Sequence, residues 1–499
     1  MEFELKFQVD PANRAAVEAA VARGRSRRTR LQARYFDTAD GALAAERVVL
    51  RLRKEGKLWV QTAKAPGDGL LQRHEHNVEI PTERASEVPL PLLQRHEGTP
   101  VGELIAAALR KAGHDPETAE LVPLYGTDVW RTTREMRSGD ARVELAFDRG
   151  EIRAGERSHT ICELEFELKQ GSPQSVLEVA RRWRNRYGLW LDTVSKSARG
   201  ERLAQGVTYG PPVKAEAPRL RDDPNGPALF RAVLCSCMDQ ILPNACELAA
   251  GSTDAEHVHQ LRVGIRRLRT ALREMAVITP DIDPSWEPAL LRAFGDLGQQ
   301  RDREHLQQEI EPQVEAVGGP PVAWPEAADA PQPPAVVRSA AFQNVLQGLI
   351  GASLPAEPEA TSDALEEGTP ARKTLRARLA KLHRQVVRDG SRFESLPTVQ
   401  QHRVRKRLKR LRYLGEFVAT LFDRRRAKRY LAALTPAQDA LGKHNDAAVA
   451  IAAYRAATDH DARAWFAVGW LGARQPESAV LCREALAKVK DAQPFWKKT

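Results

Sequence analysis

The hydrophobic pattern of this chain changes its period once, at a segment rich in proline and glycine. Before residue 206, apolar and polar side chains alternate, which is typical of β-strands with one buried face. After residue 227, apolar side chains recur every three or four positions, as in amphipathic helices. Residues 206–227 fit neither period and are predicted to be a linker. The sequence therefore predicts an α+β domain over residues 1–205 and an all-α domain over residues 228–495.

Alternation in the first half predicts six strands, with helical patterns at residues 13–23, 101–112 and 175–187 between them. Short joins at residues 54–57 and 148–150 are predicted turns. We expect an antiparallel β-rich domain with peripheral helices. The predicted strands are Glu2–Val9, Val48–Arg53, Leu58–Ala63, Gln72–Ile80, Arg142–Asp148 and Ile161–Lys169.

Charged side chains share one face of most of these strands. A single such strand, with Glu2, Glu4 and Lys6 at alternate positions, is compatible with an ordinary solvated edge. The pattern recurs at Arg51 and Arg53, at Arg73 and Glu75, at Glu144 and Asp148, and at Glu163, Glu165 and Glu167. Because the opposite faces are apolar and helices can cover only one side, we expect a closed barrel with its charged faces around a water-filled lumen.

The charges expected in this lumen suit phosphate chemistry. Carboxylates two residues apart on a strand suit a hard divalent cation such as Mg²⁺ or Mn²⁺, which bridges to phosphate oxygens. Arginine and lysine around the lumen would bind the phosphates themselves. The chain has 76 Lys and Arg against 66 Asp and Glu, a net charge of +10, which favours anionic partners.

The helical half contains a duplicated basic motif. VHQLRVGIRRLR from Val258 matches QHRVRKRLKRLR from Gln401, with steps of three, four and three residues that place each basic set on one helical face. Residues 297–302 match residues 441–446 as well, which predicts two related bundles at about 228–317 and 371–495; Asp302 and Asp446 are expected to be structural. The two basic sets are His259, Arg262, Arg266 and Arg269, and His402, Arg405, Lys409 and Arg412.

Like charges at this spacing repel one another, so each set needs anionic compensation. One interpretation is a solvated face that pairs with acids of other helices. Duplication favours the other interpretation, in which both sets chelate the phosphates of one polyanion. Nucleic acid is disfavoured, because Tyr413 is the only aromatic residue near the second set. The segments 318–334 and 353–370, rich in proline or acidic residues, are predicted surface loops.

The first half resembles the CYTH, or triphosphate tunnel metalloenzyme, family. The matching pieces are ExExK at 2–6, YFDT at 35–38, RLR at 51–53, QTAK ending at 64, RHE at 73–75, TDVWR ending at 131, VELAFDRGEI at 143–152, CELEFELKQG at 162–171 and SKSARG at 195–200. The resemblance implies an antiparallel β-barrel tunnel whose catalytic residues include Glu2, Glu4, Lys6, Glu163 and Glu165. It implies metal ligation by Glu2, Glu4, Asp148, Glu163 and Glu165, and phosphate binding by Lys6, Arg51, Arg53, Lys64, Arg73, Arg131, Lys196 and Arg199.

Some residues depart from the family pattern. His76 stands where close relatives have an aromatic residue, and Glu79 adds a carboxylate to the same strand, so substrate preference or the pH optimum could differ. Glu167 and Lys169 extend beyond the motif and lie either at the tunnel rim or merely in solvent; we expect them to be solvated.

Residues 225–495 resemble the CHAD domain, a module of two related helical bundles that binds inorganic polyphosphate in a basic channel. A CYTH domain followed by a CHAD domain is similar to bacterial inorganic triphosphatases. The resemblance implies Mg²⁺- or Mn²⁺-dependent hydrolysis of tripolyphosphate to pyrophosphate and phosphate, with long-chain polyphosphate bound by the two basic sets. Three alternatives stay open: hydrolysis of nucleoside or thiamine triphosphate, cyclisation of ATP, and a non-catalytic module that binds polyphosphate.

The sequence also predicts the compartment. MEFELKFQVD at the N-terminus lacks the apolar stretch of a secretory signal, and apolar runs of about 18 residues, the length of a membrane span, are absent. The five cysteines have no paired spacing typical of a disulfide framework. We expect a cytoplasmic protein without a membrane partner.

Overall fold

The computed structural model describes residues 3–67, 73–81, 88–220, 224–279, 282–324, 331–354 and 371–497, without the side chains of Arg73 and of residues 300–302, 304 and 305. The chain forms two compact units. The first comprises Met1–Val213, Leu242–Thr253 and Val337–Leu354. The second comprises Lys214–Ile241, Asp254–Val336 and Pro355–Thr499.

One antiparallel sheet forms the centre of the first unit. Its strands are β1 (Glu4–Gln8), β2 (Ser26–Asp37), β3 (Val49–Glu55), β4 (Leu58–Pro66), β5 (Arg73–Ile80), β6 (Val122–Ser138), β7 (Ala141–Ala154), β8 (Arg157–Gln170) and β9 (Trp190–Leu191). They are hydrogen-bonded in the order β5-β4-β3-β2-β6-β7-β8-β1-β9. The predicted antiparallel domain is confirmed, and β2 and β6 are long central strands that the alternation did not reveal.

Helices cover the apolar face of this sheet. They are α1 (Arg14–Val21), α2 (Ala42–Ala45), α3 (Pro100–Lys111) and α4 (Pro173–Tyr187), whereas α5 (Lys196–Gln205) packs on the opposite face. Ile105 and Leu109 of α3 belong to one buried cluster with Leu50 of β3. Phe166 of β8 contacts Trp183 of α4, with ring centroids 6.1 Å apart. Apolar side chains on one face of the strands thus hold the helices, and the charged face is directed the other way.

The predicted closed barrel is wrong in one respect: among the described residues, β5 and β9 remain the edges of the sheet. β9 is only two residues long, and the chain then enters α5. Leu203 of α5 packs against Val129 and Ile152, which lie on the same faces of β6 and β7 as Arg131 and Asp148. A helix therefore covers this part of the charged face.

Gly150 lies within β7, although residues 148–150 were predicted to be a turn. β7 pairs with β6 without interruption here, and a Cβ atom at position 150 would lie 2.0 Å from the carbonyl oxygen of Asp128. The glycine is needed because two backbones approach closely, and it does not reverse the chain.

The second unit consists of helices, as predicted. The remaining helices of the chain are α6 (Gly226–Ala249), α7 (Ala255–Met275), α8 (Trp286–His305), α9 (Glu311–Glu315), α10 (Pro333–Arg338), α11 (Ala340–Ser353), α12 (Ala371–Gly390), α13 (Thr398–Val418), α14 (Arg424–Ala457) and α15 (Ala464–Asp491). Within the second unit, α7 packs against α8 and α13, with Leu261, Ile265 and Leu411 fully buried. Among the helices of the described ranges, none combines the length and apolarity needed to cross a bilayer.

Candidate active site

A cavity of about 1040 Å³ lies against the charged face of the sheet, and all nine strands contribute to its lining. The structure brings ten of the predicted site residues together around it: Glu4, Lys6, Arg51, Arg53, Lys64, Arg131, Asp148, Glu163, Glu165 and Lys196. Glu2 lies outside the described residues, and so does the side chain of Arg73. Arg199 does not contribute to the lining.

Strand register arranges the charges of β1, β8 and β7 in rows, because residues directly opposite on neighbouring strands face the same side. The first row is Gln8, Glu163 and Asp148; the second begins with Lys6 and Glu165; the third is Glu4, Glu167 and Glu144. Arg131 of β6 extends the first row, opposite Asp148. Sequence alternation predicted the faces, and the pairing determines which carboxylates become neighbours.

Three carboxylates form a buried cluster. Asp148, Glu163 and Glu165 each offer an oxygen, and these oxygens lie within 4.8 Å of one another. The three residues are at most 8% exposed. Buried carboxylates are stable only when cations or hydrogen bonds compensate them, so their partners are part of the site.

Lys196 and Arg131 compensate this cluster. The Lys196 Nζ atom lies 2.7 Å from Asp148 and 2.8 Å from Glu165, and it also pairs with Glu163. The Arg131 guanidinium donates to both oxygens of Asp148, at 2.7 and 2.6 Å, and also pairs with Glu165. Burial alone would raise the pKa of Glu165, but these two cations hold it well below its usual range.

Glu4 faces the cluster from β1. Burial, followed by the negative charge of Glu165, raises the pKa of Glu4 to about 7. The positive charge of Lys64 lowers the pKa of Glu4, although Lys64 lies on β4 and Glu4 on β1. Glu4 is therefore a carboxyl group that changes its charge near neutral pH.

Cations dominate the wall formed by β3 and β4. Arg51, Arg53 and Lys64 line the cavity, and acids at its edge hold two of them. The Arg53 Nε atom donates to Glu55 at 2.6 Å, and Lys64 pairs with Glu75. Cations of this wall and carboxylates of β1, β7 and β8 thus share one cavity.

The duplicated basic sets lie on α7 and α13 of the second unit, with all eight side chains among the described residues. Burial lowers the pKa of Lys409 to about 6, and the positive charges of Arg266 and Arg405 act in the same direction. Arg262 contributes as well, so cations of both sets lie close to one another. At the ends of the sets, Arg269 pairs with Glu287 at 2.7 Å and Arg412 with Glu416 at 2.8 Å.

Comparisons with known proteins agree with this arrangement. The CYTH domain family matches residues 1–200, and the CHAD domain family matches residues 232–455. The chain contains a CYTH domain followed by a CHAD domain. An inorganic triphosphatase of Haemophilus influenzae is 32% identical over 173 residues, 33% of this chain and 44% of that protein. The chain therefore spans less than half the length of this curated relative.

Two solved structures are also similar. The CHAD domain of the plant Ricinus communis is 24% identical, covers 57% of this chain and 98% of its own, and has a TM-score of 0.45. A putative adenylyl cyclase of Hippeastrum with a dominant triphosphatase activity is 20% identical and covers 42% of this chain and 97% of its own, with a TM-score of 0.31.

Asp192 is a residue of the CYTH cavity that the sequence analysis missed. It accepts hydrogen bonds from Lys6 at 3.2 Å, Gln8 at 2.7 Å and Arg199 at 2.8 Å. Burial would raise the pKa of Asp192, but Lys6 and Arg199 hold it well below its usual range. Asp192 follows the two-residue strand β9, which is too short to show alternation, so no pattern marked it.

Arg199 is not part of the described lining of this cavity. Besides Asp192, it donates to the carbonyl oxygen of Val194 at 2.8 Å. Its predicted role in phosphate binding stays a prediction.

Glu167 and Lys169 fit the position at the tunnel rim, because 26% and 35% of their side-chain surfaces are exposed. Both line the CYTH cavity, and Lys169 Nζ lies 2.6 Å from Glu167 and 3.4 Å from Glu144. His76 is absent from the described lining; its Nδ1 atom lies 2.9 Å from Nδ1 of the buried His96. The carboxylates of the third row, Glu144 and Glu167, therefore extend the charged lining. His76 contacts His96 instead of the cavity.

The buried cluster fits the divalent cation that the CYTH family implies. Asp148, Glu163 and Glu165 offer only oxygen ligands, which Mg²⁺ and Mn²⁺ prefer. Glu4 faces the same cluster, as its interaction with Glu165 indicates. The donor set therefore suits a hard cation and offers nothing to a thiophilic one.

Proposed function

We propose that the CYTH domain is a metal-dependent inorganic triphosphatase, which hydrolyses tripolyphosphate to pyrophosphate and phosphate. The observation that carries this proposal is the single cavity in which Asp148, Glu163 and Glu165 cluster while Arg51 and Lys64 line another wall. Such a cavity can hold a polyanion and a hard cation together. Phosphoryl transfer depends mainly on this kind of positioning and charge stabilisation.

In this proposal Mg²⁺ or Mn²⁺, held by Glu4, Asp148, Glu163 and Glu165, would neutralise phosphate charge and acidify a water molecule. Arg51, Arg53 and Lys64 bind the phosphoryl oxygens through charge-assisted hydrogen bonds. Hydrolysis adds the oxygen of water to the terminal phosphorus and breaks its bond to the bridging oxygen, which leaves with the pyrophosphate. Preorganised cations stabilise the charge that collects on this oxygen.

An inorganic substrate is favoured over a nucleoside or thiamine triphosphate. Tyr35 is the only phenylalanine, tyrosine or tryptophan in the described lining, and it stacks on Tyr125 with ring centroids 4.7 Å apart. Arg51 also interacts with the Tyr35 hydroxyl group. The aromatic surface that would recognise an organic ring is therefore already engaged.

Phosphate release from tripolyphosphate, ATP and thiamine triphosphate, each with Mg²⁺ or Mn²⁺, tests the substrate. We expect the highest kcat/KM for tripolyphosphate. Arg53→Met should raise the KM for tripolyphosphate, whereas Arg153→Met, on an exposed arginine of the same domain, should not. Faster turnover of ATP or thiamine triphosphate would refute the inorganic substrate, and no turnover of any of them would favour the non-catalytic alternative.

We also propose that the CHAD domain binds inorganic polyphosphate through the two basic sets. The convergence of Lys409 with Arg262, Arg266 and Arg405 supports this, because these cations outnumber the Asp446 carboxylate that acts on Lys409 and together attract a polyanion. Paired replacement of Arg266 and Lys409 by Gln should weaken polyphosphate binding. Arg403→Gln, on an exposed arginine of α13, is the control and should have little effect. Unchanged binding in the double variant would refute the assignment.

A further inference from the structure

Lys196 occupies the centre of the carboxylate cluster. Its Nζ atom lies 2.7 Å from Asp148 and 2.8 Å from Glu165, and it pairs with Glu163. A lysine ammonium has three N–H donors, and here it meets three carboxylates. The side chain is 15% exposed, so little water shares these contacts.

The same three residues offer the oxygens that suit a divalent cation. Mg²⁺ requires oxygen ligands at about 2.0–2.1 Å and a nearly ideal geometry, so it needs the space between these oxygens. Two cations within a few ångströms in a buried site repel strongly. Coordination by this cluster and the present position of the Lys196 ammonium are therefore mutually exclusive.

The helix that carries Lys196 is fixed independently of this contact. Ser195 caps α5 by accepting a hydrogen bond from the Ala198 N–H at 3.1 Å. A Cβ atom at Gly200 would lie 2.2 Å from the Tyr125 ring, which shows how closely the helix backbone approaches it. Leu203 of the same helix packs against Val129 and Ile152. Because neither the cap nor this packing involves the lysine side chain, its flexible stem can move while the helix stays in place.

We propose that Lys196 is a built-in competitor for the divalent cation, and that cation binding displaces its ammonium from the cluster into the cavity. Lys196 is the first residue of α5, where the helix dipole disfavours a positive charge, so the carboxylates alone stabilise its position. Once displaced, the ammonium becomes a phosphate ligand in the same cavity. This last step rests on the proposed function, whereas the competition itself does not.

Titration of the full chain with Mn²⁺, followed by the electron paramagnetic resonance signal of free Mn²⁺, tests the competition. Lys196→Met keeps the stem and removes the charge, so Mn²⁺ should bind at least about tenfold more tightly, the effect of losing one charge-assisted contact. Lys169→Met is the matched control: it removes the same charge from the same cavity, and Lys169 pairs with Glu167 and Glu144 outside the cluster. We expect it to change the affinity less than about threefold. Equal or weaker binding by Lys196→Met would overturn the proposal.

Acylation of the wild-type protein gives a second readout that needs no variant. Acetic anhydride modifies accessible amines, and mass spectrometry quantifies acetylation of Lys196 relative to the exposed Lys57. We expect Mn²⁺ to increase this ratio over that in EDTA, and an unchanged or smaller ratio would overturn the proposal. Neither readout involves turnover, so failure of the triphosphatase assignment would leave both results intact.

Discussion

Glu4 of β1 and Lys64 of β4 interact electrostatically, although five strands separate β1 from β4 in the sheet. The sheet must therefore wrap around the cavity and bring its carboxylate strands opposite its cationic strands. This relationship places buried carboxylates and cationic side chains around one lumen. It also makes the charge of Glu4 sensitive to residues of both walls.

The raised pKa of Glu4 predicts how stability changes with pH in EDTA. Its folded pKa of about 7 exceeds its ordinary 4.5, so its stabilising contribution is complete below about pH 4.5 and is lost as pH rises through 7. Glu4→Gln should therefore unfold at a higher temperature than wild type at pH 8, and the difference should vanish at pH 4.5. Thermal melts at both pH values measure this. Glu156→Gln, on an exposed glutamate, should show no such dependence. A constant difference for Glu4→Gln would contradict the account.

Asp192 is expected to be a positioning residue for Lys6. Asp192→Asn removes the charge that Lys6 and Arg199 share, and breaking a buried ion pair typically costs about 3–5 kcal/mol. We expect a lower midpoint of urea unfolding and a higher KM for tripolyphosphate. Because the folded pKa of Asp192 is depressed, its contribution is present above about pH 4 and is lost as pH falls. If the difference in urea midpoint between Asp192→Asn and wild type were unchanged at pH 2–3, the ionised Asp192 carboxylate would not be the source of the stabilisation.

Gly150→Ala tests the close approach of β6 and β7. The new methyl group would lie 2.0 Å from the Asp128 carbonyl oxygen, so one strand must move. We expect a fall in the melting temperature of the CYTH domain and loss of metal-dependent turnover, because Asp148 lies two residues away. Gly442→Ala is the control, since nothing lies within 4 Å of its Cβ position. It should be neutral or slightly stabilising. Equal melting temperatures and equal turnover of the two variants would show that the close approach of β6 and β7 does not require a glycine at position 150.

Polyphosphate binding by the CHAD domain should weaken as pH rises above 6. The free protein holds Lys409 at a pKa of about 6, and a bound polyanion favours its charged form, so binding takes up a proton above that pH. Calorimetry in buffers of different ionisation enthalpy at pH 8 measures this uptake. In Lys409→Met, fewer protons should be taken up on polyphosphate binding than in wild type. Equal uptake in wild type and variant would exclude Lys409 as the group that titrates.

The sequence predicted ten of the residues that line the cavity but not how they pair. Alternation placed Glu163 and Glu165 on the charged face of one strand and Asp148 on that of another, and all three line the same cavity. Alternation failed for β2 and β6, whose polar residues extend over both faces. Local sequence pattern could not show that Gly150 lies within a strand, nor that Asp192 belongs to the cavity. Both depend on contacts between segments that are distant in the sequence.

The central claim is that the carboxylate cluster of the CYTH domain supports hydrolysis of tripolyphosphate. The most direct measurement compares phosphate release from tripolyphosphate by wild type, Glu165→Gln and Glu156→Gln, with Mg²⁺ or Mn²⁺ and with EDTA. We predict metal-dependent release by wild type and Glu156→Gln, and a loss of at least about a hundredfold in Glu165→Gln, as is common when a group that stabilises the transition state is removed. Full activity of Glu165→Gln, or release that persists in EDTA, would contradict the account.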